Sequence, residues 1–343
     1  MSPTARLRGA LAALAALHLA SLLAGALTPY DPAEQNRSHP FAPPSRVRFT
    51  EAGRFVRPFV YETVEAASAP GTYVEDTSRR YPLRLLVAGA PYRLAGLVPA
   101  RTRLFGVDEP ARVFLLGTDG LGRDQFSRFL HGAQVSLLAG LLATALSLGT
   151  GFVLGALAGF YGRAVDAAVM RTAELFLALP WLYLLLAVRA LLPLHVTPGQ
   201  TFVLLVAVIG LVDWARPARL VRGVVLSARE RDFVLAARAF GAGDAYLLRR
   251  HVAPQAAALL LTQAALLAPQ YVLAEVTLSF LGLGISEPVP SWGNMLAALQ
   301  QYHVLTSYWW MWIPGVALVP VFLAYQRIAD ALQERAARPG VSA

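Results

Sequence analysis

Long apolar runs, separated by short polar segments rich in arginine, dominate most of this chain. A helix needs about 20 apolar residues to cross a hydrocarbon core of about 30 Å. Runs of that kind lie at about Leu7 to Leu27, Ala133 to Phe160, Thr172 to Leu192, Thr201 to Leu220, Ala256 to Leu283 and Tyr308 to Ile328. The fourth weakens at Asp213 and Arg216. The pattern predicts an all-α membrane protein of six spanning helices, since helices satisfy their own backbone groups in lipid. The first run resembles a signal peptide, with Ala24-Gly25-Ala26 as a cleavage site, but it is longer than a usual signal core and is expected to stay as an anchor.

Residues 28 to 132 follow a different pattern. Prolines, arginines, acids and aromatics are interspersed there, with turn signals at Pro29-Tyr30-Asp31-Pro32 and Ala69-Pro70-Gly71. From Tyr81 to Val107 short apolar runs are broken by Gly and Pro, which reads as a few β-strands and turns. The expected organisation is an anchor at 1–27, a small extracytoplasmic insert with some β-structure at 28–112, a permeating core at 113–330 and a polar tail at 331–343.

Composition sharpens this picture. The 343 residues are 56% hydrophobic and 15% charged, with a mean hydropathy of +0.50, where soluble domains carry roughly 25% charged residues. The net charge is +9, and every strong base is arginine, since the sequence has no lysine. A basic balance of this kind reflects cytoplasmic loops rather than nucleic acid. Arginines crowd 215–252 (Arg216, Arg219, Arg222, Arg229, Arg231, Arg238, Arg249, Arg250), and Arg335 and Arg338 follow in the tail, whereas about 193–200 and 285–306 have none. The positive-inside rule then puts both termini and the 229–255 loop in the cytoplasm of a multi-pass inner-membrane protein.

Catalytic chemistry finds no support. There are no cysteines, and the six histidines sit far apart without ligand spacing. No cofactor or metal site is expected. A phosphate-binding loop needs a lysine, so the glycines of "GTDGLGRD" (117–124) do not form one. Ser279 and Ser291 have no His and Asp arranged nearby for a triad.

The stretch "RDFVLAARAFGAGDAYLLRRHVAP" (231–254) is too charged to span a bilayer. Asp232 is placed to cap a helix, Gly241 to end it, Asp244 to cap a second short helix, and Pro254 to open the next span. One face offers Phe233, Ala237 and Phe240. Such a helix pair suits either the headgroup surface or the groove of a cytoplasmic partner.

These residues resemble the cytoplasmic-loop signature of ABC importer permeases. Ala236, Ala237, Gly241 and Pro254 match its pattern, while Leu235 stands where the pattern has glutamate, His251 where isoleucine is common and Gln255 where asparagine is common. The segments "LLGTDGLGRDQFSRFLHGAQVSL", "DWARPARLVRGVVL", "AEVTLSFLGLG" and "PVPSWGNML" resemble the oligopeptide/dipeptide branch, its C-type subunit, over about 113 to 326. The resemblance implies a non-catalytic subunit that imports peptides. Its partners would be a homologous second permease, two cytoplasmic ABC ATPases and an extracytoplasmic solute-binding protein. A related solute such as a nickel chelate or glutathione, or an ATPase-independent secondary transporter, is the alternative. Phe233, Ala236, Ala237, Gly241, Asp244, Arg249, His251 and Pro254 would couple to the ATPase. Gln263, Gln270 and Thr277 recur at seven-residue spacing and, with Glu275, would line the path or the subunit interface, or act as packing glue between helices. Asp119, Arg123, Asp124, Ser291 and Trp292 would lie in outer loops near the binding protein. Arg189 is expected to snorkel and is assigned no role.

Overall fold

The structure, a computed structural model, describes residues 3–51, 53–66, 71–94, 96–191, 193 and 196–336. The expected turn at Ala69-Pro70, His195 and Arg338 lie outside the described residues. Two compact units are present. One comprises 1–14, 138–278 and 320–343, the other 15–137 and 279–319.

Helices α1 (Pro3–Leu22) and α2 (Ala24–Leu27) precede five strands. Strands β1 (Arg48–Glu51), β2 (Arg54–Glu65) and β3 (Tyr73–Pro82) form an antiparallel sheet in that order, and among the described residues β4 (Arg84–Leu94) pairs with β5 (Val98–Gly106) alone. The strands thus begin well before Tyr81. Alternation in β2 was masked in sequence by Arg54, Arg57 and Pro58, which lie on a sheet with little buried surface. Val60, Tyr81, Phe105, Ala111 and Val113 make the apolar core of this part.

The helical remainder begins with α3 (Gln125–Tyr161). Then come α4 (Arg163–Ala178), α5 (Trp181–Leu191), α6 (Pro198–Val212), α7 (Ala215–Arg229) and α8 (Asp232–Ala239). A long helix α9 (Asp244–Phe280) follows, then α10 (Trp292–Ala297), α11 (Tyr302–Ser307) and α12 (Ile313–Ala336). Among the described residues three helices are long and apolar enough to cross a membrane, or up to five if each bent pair counts as one span. The described residues thus account for up to five of the expected six spans, and α1 is not among those five.

The two bent pairs replace spans expected to be continuous. The run at 172–192 breaks between α4 and α5, which meet at 96°. Pro180 accounts for it, because the residue before proline is pushed out of the α region, and Leu179 has ψ 140°. The run at 201–220 bends by 46° between α6 and α7, at Asp213. There the buried Tyr271 hydroxyl reaches the Ser147 hydroxyl (2.9 Å) and an Asp213 carboxylate oxygen (3.1 Å), and Ser147 donates to the Asp213 carbonyl (3.0 Å). The broken helix end thus exchanges its lost ladder bonds for side-chain partners.

A stripe of glycines sets the packing of α3 on α7. A Cβ at Gly151 would stand 2.6 Å from Pro217, at Gly155 2.3 Å from the Ala218 carbonyl, and at Gly159 2.9 Å from the Arg222 carbonyl. Only hydrogen fits, and the two backbones approach as small-xxx-small helix pairs do. Helix α7 is also tied to α4, where Arg222 forms a bidentate ion pair with Asp166.

Two glycine substitutions are expected to act in opposite directions. Gly155→Ala must separate α3 from α7, costing about 1–3 kcal/mol. Gly223→Ala on α7 meets nothing within 4 Å and is expected to stabilise by about 0.4–1 kcal/mol. Thermal melting of the detergent-solubilised chain checks both.

Candidate functional site

The segment 231–254 is built on the α3–α7 packing. Val234 of α8 and Leu247 and Val252 of α9 are buried with Ala156, Phe160, Val221, Val225 and Ala228. Burying side chains of this size is worth about 1.5–3 kcal/mol each. Arg229 also donates to the Gly159 carbonyl (3.0 Å), and the Arg238 guanidinium lies 5.3 Å from the Phe160 ring centre.

Local details differ from the expected helix pair. Asp232 is the first helical residue rather than the cap. Arg231 takes the cap position, without a side-chain capping bond. The far end behaves as expected. Gly241 has φ +86°, its N–H bonds the Arg238 carbonyl, and the Ala242 N–H bonds the Ala237 carbonyl (both 3.0 Å). This is a Schellman closure, which satisfies carbonyls that a helix end leaves open. The second short helix is not separate. Asp244 opens α9 without a side-chain capping bond, and a π turn at Leu248–Val252 carries the helix through Pro254. Proline has no N–H to give and its ring crowds the carbonyl four residues back, so the wider turn accommodates it in place of a break.

The exposed face is correspondingly altered. Ala237 packs against the buried cluster. Phe233, Leu235, Phe240 (92% exposed) and Tyr246 face outward. His251 sits between the rings of Phe233 and Tyr246, each centre 5.7 Å away. Ala236, Asp244, Arg249 and Pro254 are exposed, and Asp244 pairs loosely with Arg238 (3.5 Å).

The stripe expected on α9 is not brought together. Gln270 is exposed, and Gln263 and Thr277 are half-buried. Glu275 is fully buried. Two residues on a helix are separated by about 200°, so Glu275 and Thr277 point to nearly opposite sides. Arg189 is buried rather than extended outward, with one guanidinium N–H reaching the Pro193 carbonyl (3.3 Å).

The residues expected in open outer loops are mostly inside. Asp119, Arg123, Asp124, Ser291 and Trp292 are all buried. Arg123 pairs with Asp119 (2.7 Å) and Glu287 (2.5 Å), and Arg128 pairs with Glu287 (2.8 Å) and more distantly with Asp119 (3.6 Å). Burial pushes the Glu287 carboxyl up, but Arg128 and Arg123 outweigh it and hold it below its usual range. Ser291 and Asn294 cap α10 reciprocally, and Asn294 also donates to the Ile285 and Val289 carbonyls. The Trp292 indole donates to the Phe129 carbonyl (3.1 Å) and stacks on the Phe129 ring. These side chains shape the loops from within, leaving Leu121 and part of Glu287 at the surface. Sequence reasoning missed Arg128, Glu287 and Asn294; acids and arginines at 119–128 and a lone acid at 287 were the available signal.

The chain matches the profile of the binding-protein-dependent transport system inner membrane component over residues 151–338. A Brucella suis protein provisionally named a peptide permease protein is 40% identical over 219 residues, covering 64% of this chain and 70% of that one. The di/tripeptide transport system permease protein DppC of Pseudomonas aeruginosa is 39% identical over 221 residues, covering 64% and 71%. Among solved structures, the inward-facing MetNI methionine ABC transporter aligns with a TM-score of 0.45 at 18% identity, over 61% of this chain and 96% of that one.

Two outcomes follow from these geometries. Burial raises the Asp124 carboxyl to about 6, against the opposing hydrogen bonds from Ser127. An unfolded aspartate releases its proton near about pH 4, so folding takes up a proton in between and stability falls as pH rises through that window. Asp124→Asn is expected to flatten this fall in melting temperature between about pH 4 and 6. At Gly241, where an added Cβ meets nothing, the cost is in the backbone alone. Gly241→Val is expected to lose about 1–2 kcal/mol and Gly241→Asn less, read as hydrogen-exchange protection at 237–242.

Proposed function

Because this chain belongs to the family of binding-protein-dependent transport system inner membrane components, we propose that it is the permease subunit of an ATP-driven peptide importer. The solute class comes from the relatives, which are named for peptide and di/tripeptide transport. The observation that carries the coupling role is α8: seated inward by Val234, closed by a Schellman turn, and outwardly apolar at Phe233, Leu235 and Phe240.

The mechanism follows from rigidity. A groove on a cytoplasmic ATPase receives the apolar face of α8. ATP-driven closure displaces α8, and the buried contacts of Val234 and Leu247 pass that displacement to α7, α3 and α9. Side chains packed at crystal-like density transmit motion rather than absorb it. The result is a rigid-body switch between two states of the path. A homologous second permease forms the other half of that path, and an extracytoplasmic binding protein delivers the solute. Six spans, both termini in the cytoplasm and an extracytoplasmic 28–112 complete this reading. The arginine distribution supports it, with α1 tilted or shielded by neighbours as the sixth span. ATP hydrolysis resides in the partner.

In proteoliposomes containing the full assembly, peptide uptake is expected to require ATP. It should fall at least about tenfold with Phe240→Asp, which puts a charge where an apolar anchor docks. ATPase co-purification with the variant should drop in parallel. Uptake by this chain alone, driven by an ion gradient, would overturn the proposal in favour of a secondary transporter.

A further inference from the structure

Away from α8, the 28–112 segment has a feature that the transport reading does not use. A cavity of about 530 Å³ is bounded along one wall by consecutive residues of β4, from Arg84 to Ala90. Among the described residues β4 pairs with β5 alone, so its other edge is open, apart from the Ala90 carbonyl, which accepts from Arg103, and with a bend at the left-handed Leu86 (φ +54°). An open edge of this kind is a template for another extended segment. It is also apolar: Leu85 and Leu86 are both 71% exposed. Natural edges are usually guarded by charge or by proline, and this stretch has neither between Leu85 and Ala90.

The lining is also charged and only partly neutralised. Arg84 pairs with Asp108 (2.5 Å) and Arg112 with Glu34 (2.6 Å). Among the described residues Asp31 and Glu109 belong to neither pair, yet both line the cavity. The third cation there, Arg103, is buried and spends its guanidinium on the carbonyls of Thr28, Tyr30 and Ala90. The Arg103 charge still offsets part of that of Asp31, so the four carboxylates and three guanidiniums of the lining leave one negative charge in excess. A metal ion does not fit it, because no group of three His, Asp or Glu among the described residues is arranged to hold one.

We propose that this cavity binds an extended peptide as an added strand on β4, with the peptide's terminal ammonium held by Asp31 and Glu109. Main-chain bonds to a strand edge accept any side-chain sequence, and the ammonium fixes the register. The site is separate from α8 and needs no ATP.

The test uses the full-length chain in nanodiscs and a fluorescent hexapeptide of alternating Ala and Val, labelled at its C-terminus. Saturable anisotropy binding is expected. Acetylating the peptide's amine should weaken it by about tenfold or more, a free-energy loss of about 1.4 kcal/mol. Methylating alternate backbone nitrogens should abolish it. Asp31→Asn combined with Glu109→Gln should reproduce the effect of acetylation, and because acetylation alters only the ligand, it remains informative if that variant folds poorly. Absence of binding, equal binding of the parent and modified peptides, or light scattering showing that the edge is filled by a second copy of this chain would each overturn the inference. Peptide uptake by the full assembly is measured alongside. Uptake without binding here removes the strand site and leaves the transport reading intact; binding here without ATP-driven uptake does the reverse.

Discussion

A helix backbone comes within hydrogen-bond range of another only where no side chain stands between them. Gly151, Gly155 and Gly159 create that condition along α3, and α7 lies against it. The remainder of the helical unit is arranged around this contact. Ala156 and Phe160, on the flank of the same stripe, meet Val221, Val225 and Ala228 from α7. The surface they form together is where Val234, Leu247 and Val252 are buried. The short amphipathic helix α8 would be marginal in isolation, since helices of its length do not hold themselves in water. Its order comes from the floor beneath it. The outward Phe233, Leu235 and Phe240 are therefore presented on a fixed support, which is what force transfer through such a short element requires.

Polar groups are managed by the same economy of partners. Where α6 gives way to α7, Tyr271 and Ser147 supply what the interrupted ladder leaves open at Asp213. Where the 117–128 loop meets 285–294, two arginines and two carboxylates neutralise one another in a cluster that is buried except at Glu287. Removing one partner from such a cluster leaves an uncompensated charge, typically costing about 3–5 kcal/mol, so the cluster acts as a constraint on geometry more than as a source of net stability. Strand β4 is the exception to this completeness, with one edge left open beside a lining in which carboxylates outnumber arginines.

Much of this was legible in residue order. Apolar run length located the helices, because spanning a hydrocarbon layer is a one-dimensional requirement. Gly241 was identified as a helix stop, and φ +86° agrees, because a left-handed residue selects glycine through purely local sterics. The family signature at 236–254 was likewise readable, and the family match over 151–338 bears it out. Asp213 was read as a weak point of its run, whereas the break at Pro180 was not foreseen, and neither bend angle follows from the residues.

What residue order could not decide was where each polar side chain spends its bonds. Asp119, Arg123 and Trp292 look like loop surface in one dimension. They are interior because Glu287 and Phe129, distant along the chain, fold onto them. The heptad spacing of Gln263, Gln270 and Thr277 suggested company for Glu275, but helical geometry sends that carboxyl to another side, and packing buries it. Proline at 254 predicted a break, and a π turn carried the helix on instead. Periodicity and sterics act between near neighbours and are written in the chain. Burial and charge pairing depend on distances that exist only once the helices and strands have met.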